Sequence, residues 1–253
     1  MPLKVLERTQ GLLIWLLPIQ PYSAAFCTSI IIGCTLARKS YSRLPPRRRN
    51  TRQEILTDID ALHAVIKVNR PIPFAWFSLP TTNYCITTDA CTTFGLGGAI
   101  WHVVDPLAPN FDDETPLQGW FMTWKNFNKL PNTPTIDTTT PGIINYLELL
   151  ALLISELLWA SLGAGHIIIF RGDNCSANKW FVSGRTTRPD WNPPLAVVCH
   201  DRLAHLRRPK VKYIHTDCNT IADSLSRGKP LRLSLVKPSL LRKTITRLFP
   251  KAN

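Results

Sequence analysis

The sequence predicts an α/β fold in which three antiparallel strands are followed by parallel strands alternating with helices. Three observations carry this expectation. Residues 143–162 (IINYLELLALLISELLWASL) are apolar nearly all round at helical length, with Glu148 and Glu156 the only charges, and such a helix belongs inside a domain. After a Gly-Ala-Gly break comes HIIIF (166–170), a continuous apolar run of the kind buried on both faces of a parallel sheet. Ahead of both, three strand-like runs between residues 84 and 124 follow one another without an intervening helix, the pattern of an antiparallel meander.

Taken in order, residues 11–37 hold no charged residue, but Pro18, Gln20 and Pro21 split them into two runs. Each is shorter than the roughly 20 apolar residues that span a bilayer, so two short buried helices are expected and membrane insertion is not. RKSYSRLPPRRRNTR (38–52) reads as a basic linker, and Ile55, Ile59, Leu62, Val65 and Ile66 mark a helix after it. Pro71, Pro73 and Pro80 suggest an extended boundary. The three strands are YCITTDA (84–90), AIWHVV (99–104) and LQGWFMTW (117–124), with an acidic loop at 106–116. Beyond the central helix and HIIIF, a helix is expected over 176–182, another near 195–206, a strand at VKYIH (211–215) and a last helix over 220–227. The domains expected are therefore a helical segment with basic linker (1–80), a compact α/β domain (81–228) and a basic C-terminal tail (229–253).

Charge supports a polyanionic partner. The chain carries 30 Lys and Arg against 17 Asp and Glu. The excess lies in the flanks: residues 81–228 are nearly balanced, and residues 229–253 hold seven basic side chains and no acidic one. Such flanks suit nucleic acid or an anionic membrane surface. Within the middle, Lys179 to Lys212 forms a local basic patch. Seven cysteines with no CxxC pair argue against both a disulfide scaffold and a zinc ribbon. Together with the lack of a secretory-signal pattern, they point to an intracellular site, cytoplasm or nucleus.

Four carboxylates stand where these elements can converge: Asp89 ending the first strand, Glu148 in the central helix, Asp173 after the fourth strand and Asp223 in the last helix. A charge on an apolar helix needs a partner, and carboxylates 4 Å apart repel by roughly 4 kcal/mol per pair at an effective dielectric near 20. A cluster of them implies bound cations, and hard oxygen donors select Mg²⁺ or Mn²⁺. Two such ions are the apparatus of in-line phosphodiester hydrolysis.

The series TTDACTTFGLGGAIW, INYLELLAL, RGDN and NTIADSLSRG resembles the ribonuclease H domain of retroelement reverse transcriptases, especially gypsy-like and DIRS-type elements, over about residues 82–228. The expected β-β-β-α-β-α-β-α order is also that family's. The resemblance implies a ribonuclease H-like fold and a metal-dependent endonuclease cutting the RNA strand of RNA·DNA hybrids with two Mg²⁺ ions, Mn²⁺ substituting. It makes Asp89, Glu148, Asp173 and Asp223 the catalytic metal ligands. Phosphates would lie on Lys179, Arg185, Arg188, Arg207, Arg208 and Lys210, with Asn174 and Asn219 beside them. Trp180, Phe181 and Trp191 could stack on substrate or fill the core. Residues 1–80 more loosely resemble the segment joining a polymerase thumb to this domain. No polymerase signature stands on a hairpin, since Phe111-Asp112-Asp113 falls in the acidic loop, so a polymerase core would come from the rest of a polyprotein. An inactive nucleic-acid-binding or scaffolding module of the same fold is the alternative. Asp217-Cys218, before Asn219, departs from the glycine usual at that place.

Overall fold

The computed structural model describes residues 84–102, 116–163, 168–205, 207, 209–229 and 231–251. Its main unit is built from Phe74–Val182 and His205–Asn253, and residues 183–204 belong to a second unit. The expectations for residues 1–80, for residues 103–104 at the end of the second strand and for nearly all of the acidic loop lie outside the described residues.

Five strands form one sheet in the order β3-β2-β1-β4-β5. They are β1 (Tyr84–Cys91), β2 (Gly95–His102), β3 (Gln118–Thr123), β4 (Ile169–Gly172) and β5 (Lys210–Tyr213). β1 pairs antiparallel with β2, and β2 with β3; β1 pairs parallel with β4, and β4 with β5. The predicted α/β class, with three antiparallel strands and then parallel ones, is the class observed, in the element order expected of a ribonuclease H-like fold. β1 is central because its residues Cys85 to Cys91 are all buried, as a strand flanked on both sides and both faces must be.

The helices are α1 (Trp124–Phe127), α2 (Ile143–Leu158), α3 (Cys175–Ser183), α4 (Asn192–Ala204), α5 (Thr220–Ser226) and α6 (Pro238–Leu248). α2 is buried at 13 of its 16 positions, which is why it lacks a polar face in sequence. It packs on β1 and β2, as does α5. They cover opposite faces, because neighbouring residues of a strand point to opposite sides: a Cβ on Gly97 would meet Ser226 and Leu225 of α5, and one on Gly98 would meet Ser155 of α2. Trp120 on β3 donates its indole N–H to the Ser155 hydroxyl at 2.9 Å, closing the α2 side.

Residues 229–253 differ from the basic tail expected. Leu235 bridges to Gly119 on the outer strand β3, with Gly119 N–H donating to the Ser234 carbonyl and Val236 N–H to the Gly119 carbonyl, both at 2.8 Å. α6 follows, with Pro238 in its first turn, where a missing N–H costs nothing. Its Leu241, Thr244, Ile245 and Leu248 are buried, a spacing of three, four and seven that makes one apolar stripe, and the helix packs on α2. Phe249 meets Phe127 edge-on at 5.8 Å. No helix among the described residues is long and apolar enough to cross a membrane.

Candidate metal centre

β1 and β4 run parallel in a register that sets Thr87 beside Arg171. Two residues further along, Asp89 and Asp173 fall side by side at the carboxyl ends of the strands, the end where open α/β sheets gather ligands. Asp89 pairs across to Gly97 and points to the α5 side. Glu148 comes from α2 on the other face and reaches the end of β1, where its Oε1 accepts the Ala90 N–H at 3.1 Å. One ligand oxygen from each of Asp89, Glu148 and Asp173 lies within 4.8 Å of the others. Residues 59 and 25 positions apart in sequence thus meet at one point.

Burial sets the electrostatics. Asp89 is 6% exposed and Glu148 5%, whereas Asp173 is half-buried. Loss of water pushes the Asp89 carboxyl up to about 6 from an ordinary 3.8; a hydrogen bond from Ser226 pulls it down, and the negative charges of Asp173 and Asp223 push it up again. Glu148 is raised well above its ordinary value, by burial first and then by Asp89 and Asp173. Each acid makes ionisation of its neighbour harder, the condition a bound cation would relieve.

Several uncharged groups hold these acids in place. Ser226 Oγ donates to Asp89 Oδ2 and also lies 2.9 Å from the Asp223 carbonyl. Asn219 donates its amide to the Thr88 carbonyl at 2.9 Å, next to Asp89. On the other strand Asn178 donates to the Gly172 carbonyl at 2.8 Å, next to Asp173. Asn174 caps α3, accepting the Ala177 N–H at 3.0 Å, and its amide donates to Asn145 Oδ1 at 2.8 Å, tying the β4 end to the start of α2. α5 lies close enough to β2 to reach Asp89 only because position 97 is glycine: a Cβ there would stand 2.6 Å from the Ser226 nitrogen and 2.7 Å from Leu225 Cβ. Just past α5, Gly228 has φ of +66°, and a Cβ there would strike the Phe94 ring.

Of the four predicted carboxylates, three are brought together. Asp223 stands outside that group, its Oδ1 accepting from Arg227 Nε at 2.6 Å, although Asp89 and Glu148 both feel its charge. Asp217, the extra acid of the preceding loop, is exposed and faces His215 at 3.2 Å. The predicted phosphate contacts divide. Lys179 and Arg185 are exposed and Lys210 is partly so. Arg188 is paired with Asp190 at 2.8 Å and stacked 4.3 Å over Trp191. Arg207 is only 2% exposed, which corrects its reading as a phosphate contact, since a buried guanidinium is not offered to a duplex. Asn219, also 2% exposed, and Asn174 brace the backbone beside the acids. Arg208 lies outside the described residues. Trp180 and Phe181 are buried, and so, in the second unit, is Trp191. Ser226 was missed by sequence reasoning; its one signal was its place three residues after Asp223, on the same side of a helix.

No protein-family model matches the sequence, and no curated protein does. Among solved structures, the chain is similar to RNase H1 from the halophilic archaeon Halobacterium salinarum NRC-1, at 17% identity and a TM-score of 0.38, over 58% of this chain and 96% of that one.

Proposed function

We propose that the chain is a metal-dependent endonuclease that cuts the RNA strand of RNA·DNA hybrids. The convergence of Asp89, Glu148 and Asp173 within 4.8 Å is the observation that carries this reading. The residues fit a divalent cation: the donors are all carboxylate oxygens, which match Mg²⁺ or Mn²⁺, and two of the three are buried acids whose ionisation is disfavoured until positive charge arrives. Asp89, Glu148 and Asp173 would hold the ion, and Asp223 would join them as the more exposed member of a two-ion set. When bound, such ions supply an activated water and neutralise charge on the leaving oxygen. Ser226 keeps the Asp89 carboxylate in one orientation and the Ala90 N–H does the same for Glu148, so the ligands need not reorganise on binding. The motif series supports a further reading, that this activity serves a retroelement reverse transcriptase whose polymerase core lies elsewhere.

The Asp223–Arg227 pair favours a second reading, a binding module that keeps the fold without the chemistry. Cleavage of a labelled RNA·DNA hybrid in Mg²⁺ or Mn²⁺ separates the two, with double-stranded DNA as control. The nuclease reading expects cutting of the RNA strand by the wild type and none by Asp89→Asn or Asp173→Asn. Binding without cutting by the wild type overturns it in favour of the second.

A further inference from the structure

α6 carries two faces of opposite character. Leu241, Thr244, Ile245 and Leu248 are buried, while Arg242, Lys243 and Arg247 on the other side are exposed. The remaining basic residues of this segment, Lys229, Arg232, Lys237 and Lys251, are exposed as well, and no acidic residue occurs from 229 to 253. No ion pair among the described residues engages Arg242 or Lys243.

We propose that the outer face of α6 is a nucleic-acid contact in its own right, taking the sugar–phosphate backbone of an RNA·DNA hybrid. Three physical points favour it. Lys243 and Arg247 are four residues apart and so lie on one helix face, the arrangement in which two cations can meet one polyanion. Those two residues rise about 6 Å along the axis, close to two steps of about 3.4 Å along one nucleic-acid strand. The cations are also fixed on a helix that packs on α2 and follows a segment bridged to β3, so ordering them on binding costs less than ordering a free tail. A membrane surface fits less well, because an interfacial helix needs an exposed apolar face. On α6 that face is turned into the protein, leaving Leu240 as its large exposed apolar side chain.

The choice of hybrid rests on the nuclease reading; the surface itself does not. The test therefore reads binding and cleavage separately. Full-length wild type and the double variant Arg242→Gln/Lys243→Gln are titrated against a labelled RNA·DNA hybrid in EDTA across a salt series. The variant is expected to bind about tenfold or more weakly near 0.1 M salt, with the slope of log affinity against log salt shallower by about two, since each lost phosphate contact removes about 0.9. The charge-keeping swap Arg242→Lys/Lys243→Arg should retain wild-type affinity. Cleavage at saturating hybrid should be unchanged in both variants. Equal affinity and slope in wild type and the Gln variant would overturn the proposal, as would wild type binding phosphatidylserine vesicles in preference to the hybrid. A wild type that binds but does not cut sinks the nuclease reading and leaves this one standing.

Discussion

Asp89 and Glu148 differ from Asp173 and Asp223 in their access to water. The first two are about 95% shielded and their carboxyls are raised; the second two are partly solvated, and Asp223 has a cation of its own in Arg227. The pairs are of the same chemical type and close in space, yet they play different physical parts. The buried pair stores electrostatic free energy that only a cation or a proton releases, because little water is there to screen it. The solvated pair is screened whether or not a metal is present. An acidic cluster is therefore best weighed by its least exposed members.

The sharpest way to break this contrast is to neutralise one member of each pair. Glu148→Gln is expected to abolish hybrid cleavage, since loss of several kcal/mol of metal-derived charge stabilisation is on the order of a thousandfold in rate. The same variant should raise the metal-free melting temperature by about 2–4 °C for each kcal/mol of relieved repulsion. Asp173→Asn should lose cleavage with a smaller gain in melting temperature, because Asp173 is partly solvated but still repels Asp89 and Glu148. A Glu148→Gln protein less stable than wild type in EDTA would show that its burial is structural.

The next effect is in pH. Asp89 is raised to about 6 in the folded protein and Glu148 is raised too, while unfolded carboxyls titrate near 4. The folded state thus holds the extra protons, and the stability present below about pH 4 is lost as pH rises through about 6, by about 3 kcal/mol from Asp89 alone. Melting temperatures in EDTA should fall across that window, and saturating Mg²⁺ should abolish the fall. A metal-free profile that rises over the same range would contradict the burial argument.

Smaller again is Ser226→Ala, which removes a hydroxyl that touches only protein. Groups that orient metal ligands typically contribute 10- to 100-fold in affinity, so calorimetric titration with Mn²⁺ should weaken by about that factor with the fold intact. Unchanged affinity would make Ser226 a packing residue. The smallest change is expected from Arg227→Gln. Its ion pair is half exposed and worth less than about 1 kcal/mol, so the melting temperature should move by no more than about 4 °C. A larger drop would mean that the solvated side of the site is held as tightly as the buried one.

Much of this was readable in sequence, for physical reasons. The absence of a polar face on 143–158 announced a buried helix, and one charge within it could not be idle. Strand identity followed from apolar runs, and Asp89 and Asp173 from their places at strand ends. What could not be read was anything decided by third parties. Arg207 and Lys179 look alike in a basic run, and only packing leaves one inside and the other out. Ser226 gains a role only when α5 is laid against β1. The helix at 238–248 was hidden by its own cations, although Pro238 and the spacing of Leu241, Ile245 and Leu248 were there to be seen. Asp223 sits in the expected helix, but the sequence did not show that Arg227, one turn on, would engage it.

Gly97 ties this site to heredity. The α5 helix reaches Asp89 by lying so close to Gly97 that a Cβ there would stand 2.6 Å from the Ser226 nitrogen. Every codon change that replaces glycine adds a carbon there, whatever the new residue, so no amino-acid replacement at 97 is neutral for the Ser226–Asp89 contact. A replacement there is therefore expected to disturb the orientation of Asp89. Gly97 is thus a position at which to compare related chains for the Ser226–Asp89 contact.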